Sequence, residues 1–393
     1  MTEQATGGWT WRHSMVPRSP QERHRAATPL ELLLDLCFVV AIAQLALRLE
    51  HALAEGHFAH GVLSYFLVFF AIWWAWMTFT WFASAFDTDD VPYRLSTLLV
   101  MTGVLVLAAG VPRAFDDGDF GIVFAGYLVM RVGLVAQQVR AAVAHPQGRI
   151  AMLRYAGGES ACMLGWAVVI FGLPDQLRTW GFLVMAAAEL LVPLWAERAW
   201  HMPWHPHHIA ERYGLLTIIV LGETILSATN AFRDAFAAVT NTELLLIAGG
   251  GLLIVFAMWW VYFSLNAGEL LTSAAVAFRW GYGHYVIFAA GAAVGAGLSV
   301  NIAQVEHHAE LSTTQAGLAV TIPVFCYLLV VWWLMVRPHG ANAPFAWTMP
   351  LLGLFVLGAS FTPHPVPVAG VLMALLMGVS IYAHSRRPGA VAD

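Results

Sequence analysis

Twelve long apolar stretches divide this chain, and they leave it few folds to choose from. A helix needs roughly 20 mostly apolar residues to cross a bilayer, where only self-satisfied backbones are stable. By that rule the spans are about 29–49, 62–86, 95–111, 120–139, 154–172 and 179–196, then 213–231, 243–264, 281–301, 313–336, 345–360 and 366–383. The last two are parted only by a short proline-rich turn, "FTPHPVPVAG". Composition agrees: 59% of residues are hydrophobic and 11% charged, with a mean hydropathy of +0.69. A soluble domain carries about 25% charged residues. The expected fold class is therefore an all-α polytopic integral membrane protein with about twelve transmembrane helices.

Arginine placement sets the expected orientation. All 19 basic residues are arginines. With twelve spans and the N-terminus inside, fourteen fall on the inner side: Arg12, Arg18, Arg23, Arg25, Arg94, Arg140, Arg149, Arg154, Arg198, Arg212, Arg279, Arg337, Arg386 and Arg387. Four fall outside, at Arg48, Arg113, Arg178 and Arg233, and Arg131 lies within the fourth span. This bias is the positive-inside pattern, and it predicts a membrane protein with both termini cytoplasmic. The first 28 residues contain arginines but no apolar core of a cleavable signal peptide, so span one is expected to act as its own insertion signal. The expected organisation is a tail at 1–28, a six-helix half at 29–200, a His-rich cytoplasmic linker at 201–212, a second six-helix half at 213–384 and a tail at 385–393.

The two halves share local sequence. "FAIWW" at 70–74 returns as "FAMWW" at 256–260, and Tyr93-Arg94 is echoed by Phe278-Arg279. "ER" precedes span one at 22–23 and span seven at 211–212. An even number of spans per repeat gives two copies of the same orientation, related by an axis along the membrane normal. Two parallel six-helix repeats are thus expected, with function where they meet.

Charges inside spans are the strongest functional signal, because each is costly in lipid. "TPLELLLDLCFVVAIAQLA" places Glu31 and Asp35 on one face of span one, four residues apart. Thr28 as cap and Pro29 at the first helical position suit Glu31 to the helix start. Asp35 lies deeper. Glu223, in "YGLLTIIVLGETILSATNAF", sits mid-span as the rough counterpart of Asp35 in the other half. Gly222 beside it permits close helix approach or a local break. Glu159 and Glu189 lie in spans five and six, and Arg131 is the one base at depth. The acid surplus favours protons or cations over anions; an ion-pair cluster of purely structural role is the alternative. Asp35 and Glu223 are expected to form the central site, with Arg131 as counter-charge.

Other signals are weaker. "HMPWHPHHIAER" and "EHHAE" are His-rich, but prolines break the first and no cysteine joins either, so no metal site is expected. His208 with Glu211 and Arg212 reads as a polar cap on span seven. Gly249-Gly250-Gly251 and Gly291-x-x-x-Gly295 suit close helix packing. The tryptophans, many in pairs at 73–74, 259–260 and 332–333, suit interface anchoring and packing. Cys37, Cys162 and Cys326 read as small buried hydrophobes. Neither a nucleotide loop nor a hydrolase motif occurs, and no basic-aromatic patch suggests nucleic acid. The chain is not expected to be an enzyme or to carry a cofactor. Its expected partners are the lipid bilayer and a proton or small cation.

These residues together resemble the bacterial low temperature requirement A (LtrA) family. The first motif is carried by Pro29, Glu31, Leu32, Asp35 and Phe38; the second by His208, Glu211, Arg212, Gly214, Leu221, Gly222 and Glu223. The resemblance implies a polytopic protein of the bacterial cytoplasmic (inner) membrane linked by name to growth in the cold, and it implies no mechanism. The leading expectation is a transporter or channel for protons or small cations, or a proton-coupled carrier. The alternatives are a non-transporting stress or lipid-interacting scaffold and, behind it, a membrane-embedded enzyme.

Overall fold

A computed structural model of the chain describes residues 11–22, 25–238, 242–339 and 346–385. The terminal segments 1–10 and 386–393 lie outside these residues, as do Arg23, Arg386 and Arg387 of the arginine count. Among the described residues the protein is all helical, with twelve α-helices. They are α1 (Pro29–Ala54), α2 (Phe58–Phe86), α3 (Val91–Asp116), α4 (Gly121–Ala144), α5 (Arg149–Gly172) and α6 (Asp175–Ala196). Then come α7 (Pro206–Ala238), α8 (Thr242–Phe263), α9 (Ala274–Val305), α10 (Thr313–Val331), α11 (Thr348–Gly358) and α12 (Pro365–Ser385).

Nine of the twelve are long and apolar enough to cross a membrane. Those not among the nine are α5, α7 and α11. The first two carry polar sequence at depth, "GGES" in α5 and "GETILSATN" in α7. Helix α11 with the turn after it covers only Thr348–Phe361, short of the roughly 20 residues a full crossing needs.

The helices fall into two compact units. One comprises Met1–Ala41 and Phe70–Ile209; the other comprises Ile42–Phe69 and Ala210–Asp393. The change at Ile209 lies inside the His-rich linker, while residues 42–69 group with the second unit.

In the first unit α3 packs along α4, α4 against α5 and α5 against α6. The α3–α4 seam is backbone on backbone. A Cβ on Gly103 would stand 2.6 Å from the Gly126 carbonyl oxygen, and one on Gly126 would stand 2.5 Å from the Leu107 nitrogen. Only glycine fits at either place.

In the second unit α9 is the most enclosed span, with 89% of its apolar window buried, and α10 packs along it. Asn301 on α9 donates to Gly297 and Ala316 carbonyls at 2.8 and 2.6 Å, tying the two helices together. Of the Gly249–Gly251 run, Gly250 makes the close approach, with α12 backbone at Val366 and Pro367 where its Cβ would be. Gly291 and Gly295 face Val220 and Thr224 of α7, and Thr224 Oγ1 donates to the Gly291 carbonyl at 2.9 Å. Gly222 does neither of the things expected of it: a Cβ there would enter open space, and α7 runs through it unbroken.

Candidate functional site

One buried polar group of the first unit is a trio on three consecutive helices. Arg131 of α4 reaches Glu159 of α5 with Nη1 at 2.8 Å and Glu189 of α6 with Nη2 at 2.7 Å. All three side chains are at most 5% exposed. The apolar faces of α4, α5 and α6 must meet to close the unit, and each brings one charge into the same space. Neutral donors complete the shell. Gln138 Nε2 donates to Glu159 at 3.1 Å, and the indoles of Trp74 and Trp166 donate to Glu189 at 2.9 and 3.3 Å. The guanidinium also lies 5.2 Å from the centre of the Tyr127 ring. Two carboxylates against one guanidinium leave the trio one negative charge, and one proton makes it neutral.

Asp35 stands apart from this trio. It is buried on α1 and accepts a 2.7 Å bond from the Trp76 indole. Its face of the helix turns inward with Glu31, while Leu33, Leu36 and Val40 are exposed. Arg131, expected as the counter-charge of Asp35, is instead taken up by Glu159 and Glu189, because helices α4 to α6 pack in sequence order. Glu223, in the second unit, is half-buried, and its carboxylate accepts from Ser227 Oγ at 3.4 Å, one turn further along α7.

Glu31 is a helix-start residue with a second role. Its Oε2 accepts from the Thr28 backbone nitrogen at 2.8 Å and from Thr28 Oγ1 at 3.0 Å. Its own N–H donates to Thr28 Oγ1 at 3.3 Å, closing a capping box. The same carboxylate meets His208 Nε2 at 3.3 Å, with both side chains buried. His208 therefore contacts span one rather than serving only as a cap on α7. His205 supports it: His205 Nδ1 accepts from the His208 backbone nitrogen at 3.2 Å, which makes Nε2 the protonated nitrogen that donates to the Glu22 carbonyl at 2.8 Å.

Around this joint lies a polar layer that sequence reasoning did not single out. Asp90 caps α3 through the Tyr93 nitrogen and also binds the His13 nitrogen at 2.7 Å and the Arg140 guanidinium. Burial alone would raise its carboxyl, but the bonds from Arg140, His13 and Tyr93 overcome that and hold it at about 2. Asp87 faces Arg25 at 3.4 Å and Arg18 at 3.8 Å. Its carboxyl is pushed up by burial and by the nearby Glu31 charge, against the pull of both arginines. Residues 11–22 and 25–28 are thus bound to the ends of α2, α3 and α4.

Residues 26–381, nearly the whole chain, match the family described as bacterial low temperature requirement A protein (LtrA). The chain belongs to the low temperature requirement A family. It is also 26% identical over 389 residues to "Uncharacterized protein RA0937" of Rhizobium meliloti (strain 1021), covering 91% of this chain and 87% of that one. No solved structure matches. The two motifs of the LtrA resemblance meet in space through Glu31 and His208, 177 positions apart in sequence. Phe38 and Arg212 are buried, Glu211 is exposed, and Gly214 lies against Phe263. Pro29 opens α1.

Among the described residues of the second unit, a buried polar pair on α8 and α9 was missed in the sequence. His284 of α9 donates from Nδ1 to the Trp280 carbonyl at 2.7 Å, and its Nε2 accepts from the Tyr262 hydroxyl at 2.9 Å. Tyr213, Trp280 and Phe288 surround the ring. The only signal available was an isolated histidine in an apolar run, which is no signal by itself.

Proposed function

We propose that this LtrA protein moves a proton or small cation across the bacterial cytoplasmic membrane, alone or coupled to another solute. The observation that carries the reading is the charge count of the buried trio, two carboxylates to one guanidinium on α4, α5 and α6. An ion group with one unbalanced charge is costly away from water. Binding and releasing one proton switches it between neutral and charged, as a proton carrier requires. Asp35 in the first unit and Glu223 in the second are two further carboxylates to be tested in the same way. The reading takes the chain as a carrier, not an enzyme, with both termini cytoplasmic. It also takes the halves as two parallel repeats, supported by the recurring "FAIWW"/"FAMWW" sequence and by the matching α3–α4 and α9–α10 packing.

Reconstituted protein tests it. A pH gradient across proteoliposomes should drive flux that falls tenfold or more in Glu159→Gln or Glu189→Gln. Full flux in both variants rejects the trio as the site. Asp35→Asn and Glu223→Gln report on the other two carboxylates in the same assay.

One observation favours a second reading. Arg131, Gln138, Trp74 and Trp166 already occupy the two carboxylates, which suits a static lock holding three helices. The protein is then a non-transporting scaffold or lipid-interacting factor. Under that reading the wild type shows no pH-driven flux, and the same variants alter stability alone.

A further inference from the structure

The arginines of this chain divide by what they face. Arg18, Arg25, Arg94, Arg113, Arg131, Arg140 and Arg178 each meet a carboxylate. Arg12, Arg149, Arg154, Arg198, Arg279 and Arg337 meet none among the described residues, and of these Arg149, Arg154 and Arg198 lie at one end of the α5–α6 pair. Arg149 opens α5, where its Nε donates to the Ala142 carbonyl at 3.1 Å. Arg154 stands just over a turn further on. Its Nη1 donates to the Trp195 carbonyl at 3.1 Å, and its guanidinium lies 5.2 Å from the centre of the Trp195 ring. Arg198 is exposed in the turn that follows α6. That turn is fastened to α5: Trp200 lies against Gly148, and the Tyr155 hydroxyl donates to Glu197 at 3.0 Å. Glu197 is the acid of the turn, but it is buried and already bound to Tyr155, His201 and the Met202 nitrogen.

The surface next to these cations is apolar. Leu153, Leu191 and Leu194 are 49, 58 and 42% exposed, so the same patch offers unbalanced positive charge and alkyl contact side by side. We propose that this end of α5–α6 binds an anionic phospholipid, with its phosphate on Arg149, Arg154 and Arg198 and its acyl chains along the three leucines. Guanidinium forks match phosphate oxygens two at a time. Stacking on Trp195 holds one fork in place before the lipid arrives. A free phosphate would satisfy the arginines and leave the leucines bare, which is why the lipid is the better occupant.

The test uses the full-length protein in mild detergent, mixed with equal amounts of phosphatidylglycerol and phosphatidylcholine. Retained lipid is counted by native mass spectrometry. The wild type should prefer phosphatidylglycerol, and Arg149→Gln and Arg198→Gln should each cut that preference by about fivefold, the worth of one arginine at an anionic surface. Both side chains are exposed, so neither change threatens the fold; Arg154→Gln, which also frees Trp195, is kept as a confirmatory variant. Arg113→Gln removes an arginine already paired with Asp119 and should keep the full preference. The proposal is overturned by any of four results: equal retention of both lipids by the wild type, an undiminished preference in the Arg149→Gln/Arg198→Gln double variant, a matching loss in Arg113→Gln, or displacement of the lipid by excess inorganic phosphate.

Discussion

Replacing Arg131 by methionine asks what the buried trio does. The native guanidinium holds Glu159 at 2.8 Å and Glu189 at 2.7 Å in a space nearly closed to solvent. Methionine fills part of the same volume but leaves two carboxylates facing each other without a cation. Removing one partner of a buried ion pair costs about 3–5 kcal/mol, because the surviving charge stays desolvated and loses its compensation. Here Gln138, Trp74 and Trp166 still donate to the carboxylates. That places the expected loss near the lower end, about 3 kcal/mol. In a unit of this size such a loss lowers the unfolding midpoint by roughly 6–12 °C. Neutralising the whole trio, as Arg131→Met/Glu159→Gln/Glu189→Gln, removes the charges together with their desolvation. Each new amide oxygen can still accept from Gln138 or the two indoles. The triple variant should therefore return to within about 1–2 kcal/mol of the wild type. Thermal unfolding of purified protein in detergent measures both. A single variant as stable as the wild type, or a triple variant no better than the single, refutes the argument. The triple variant then serves the flux assay: if it is stable and still moves protons, the trio is structural.

Three other perturbations follow from the geometry. Glu31→Ala should cost about 2 kcal/mol more than Glu31→Gln in the same unfolding assay, because glutamine preserves the capping box while alanine removes both it and the contact with His208. Trp76→Phe should destabilise by about 1–3 kcal/mol by taking the indole donor from buried Asp35; an unchanged midpoint would mean that this bond contributes nothing. Asp90 titrates at about 2 against 3.8 for the free residue, so its stabilisation is complete above the higher value and lost as pH falls through the lower one. Discounted for solvent screening, the shift is worth about 1 kcal/mol. Asp90→Asn should accordingly be less stable than the wild type at pH 6, with the gap closing between pH 4 and pH 2; a gap independent of pH would assign the effect to packing.

The helical architecture was legible because hydropathy over 20 residues is a long-range average that local chemistry hardly disturbs. It was less legible at α11, where an apolar run of adequate composition ends after a few turns in "FTPHPVPVAG". Glu31 was readable as a helix-start residue from Thr28 and Pro29, because capping is local in sequence. Its contact with His208 was not, because nothing local encodes a pairing across 177 positions. The same limit applied to Arg131. Counting charges found all three members of the trio, but which acids it meets depends on the order in which α4, α5 and α6 pack. The tryptophans misled most. Trp74 and Trp76 looked like interface anchors or packing, yet they are buried donors to Glu189 and Asp35. An indole in an apolar run gives no sign of whether its N–H faces a headgroup or a carboxylate.

The placement of the LtrA motifs bears on what family membership can say about activity. Glu31 and His208 join the start of α1 to the start of α7, and Thr28 and His205 hold each of them in place. Such a joint fixes how the two helices start within the first unit, and it suits any activity that unit supports. The trio proposed here for proton transfer, Arg131, Glu159 and Glu189, contributes no residue to either motif. Asp35 and Glu223 do belong to the motifs, and they lie one helical turn or more beyond the joint. If flux depends on Asp35 and Glu223 but not on the trio, the motifs carry the chemistry and other LtrA proteins should share it. If flux depends on the trio alone, the motifs mark an architecture, and activity must be established chain by chain.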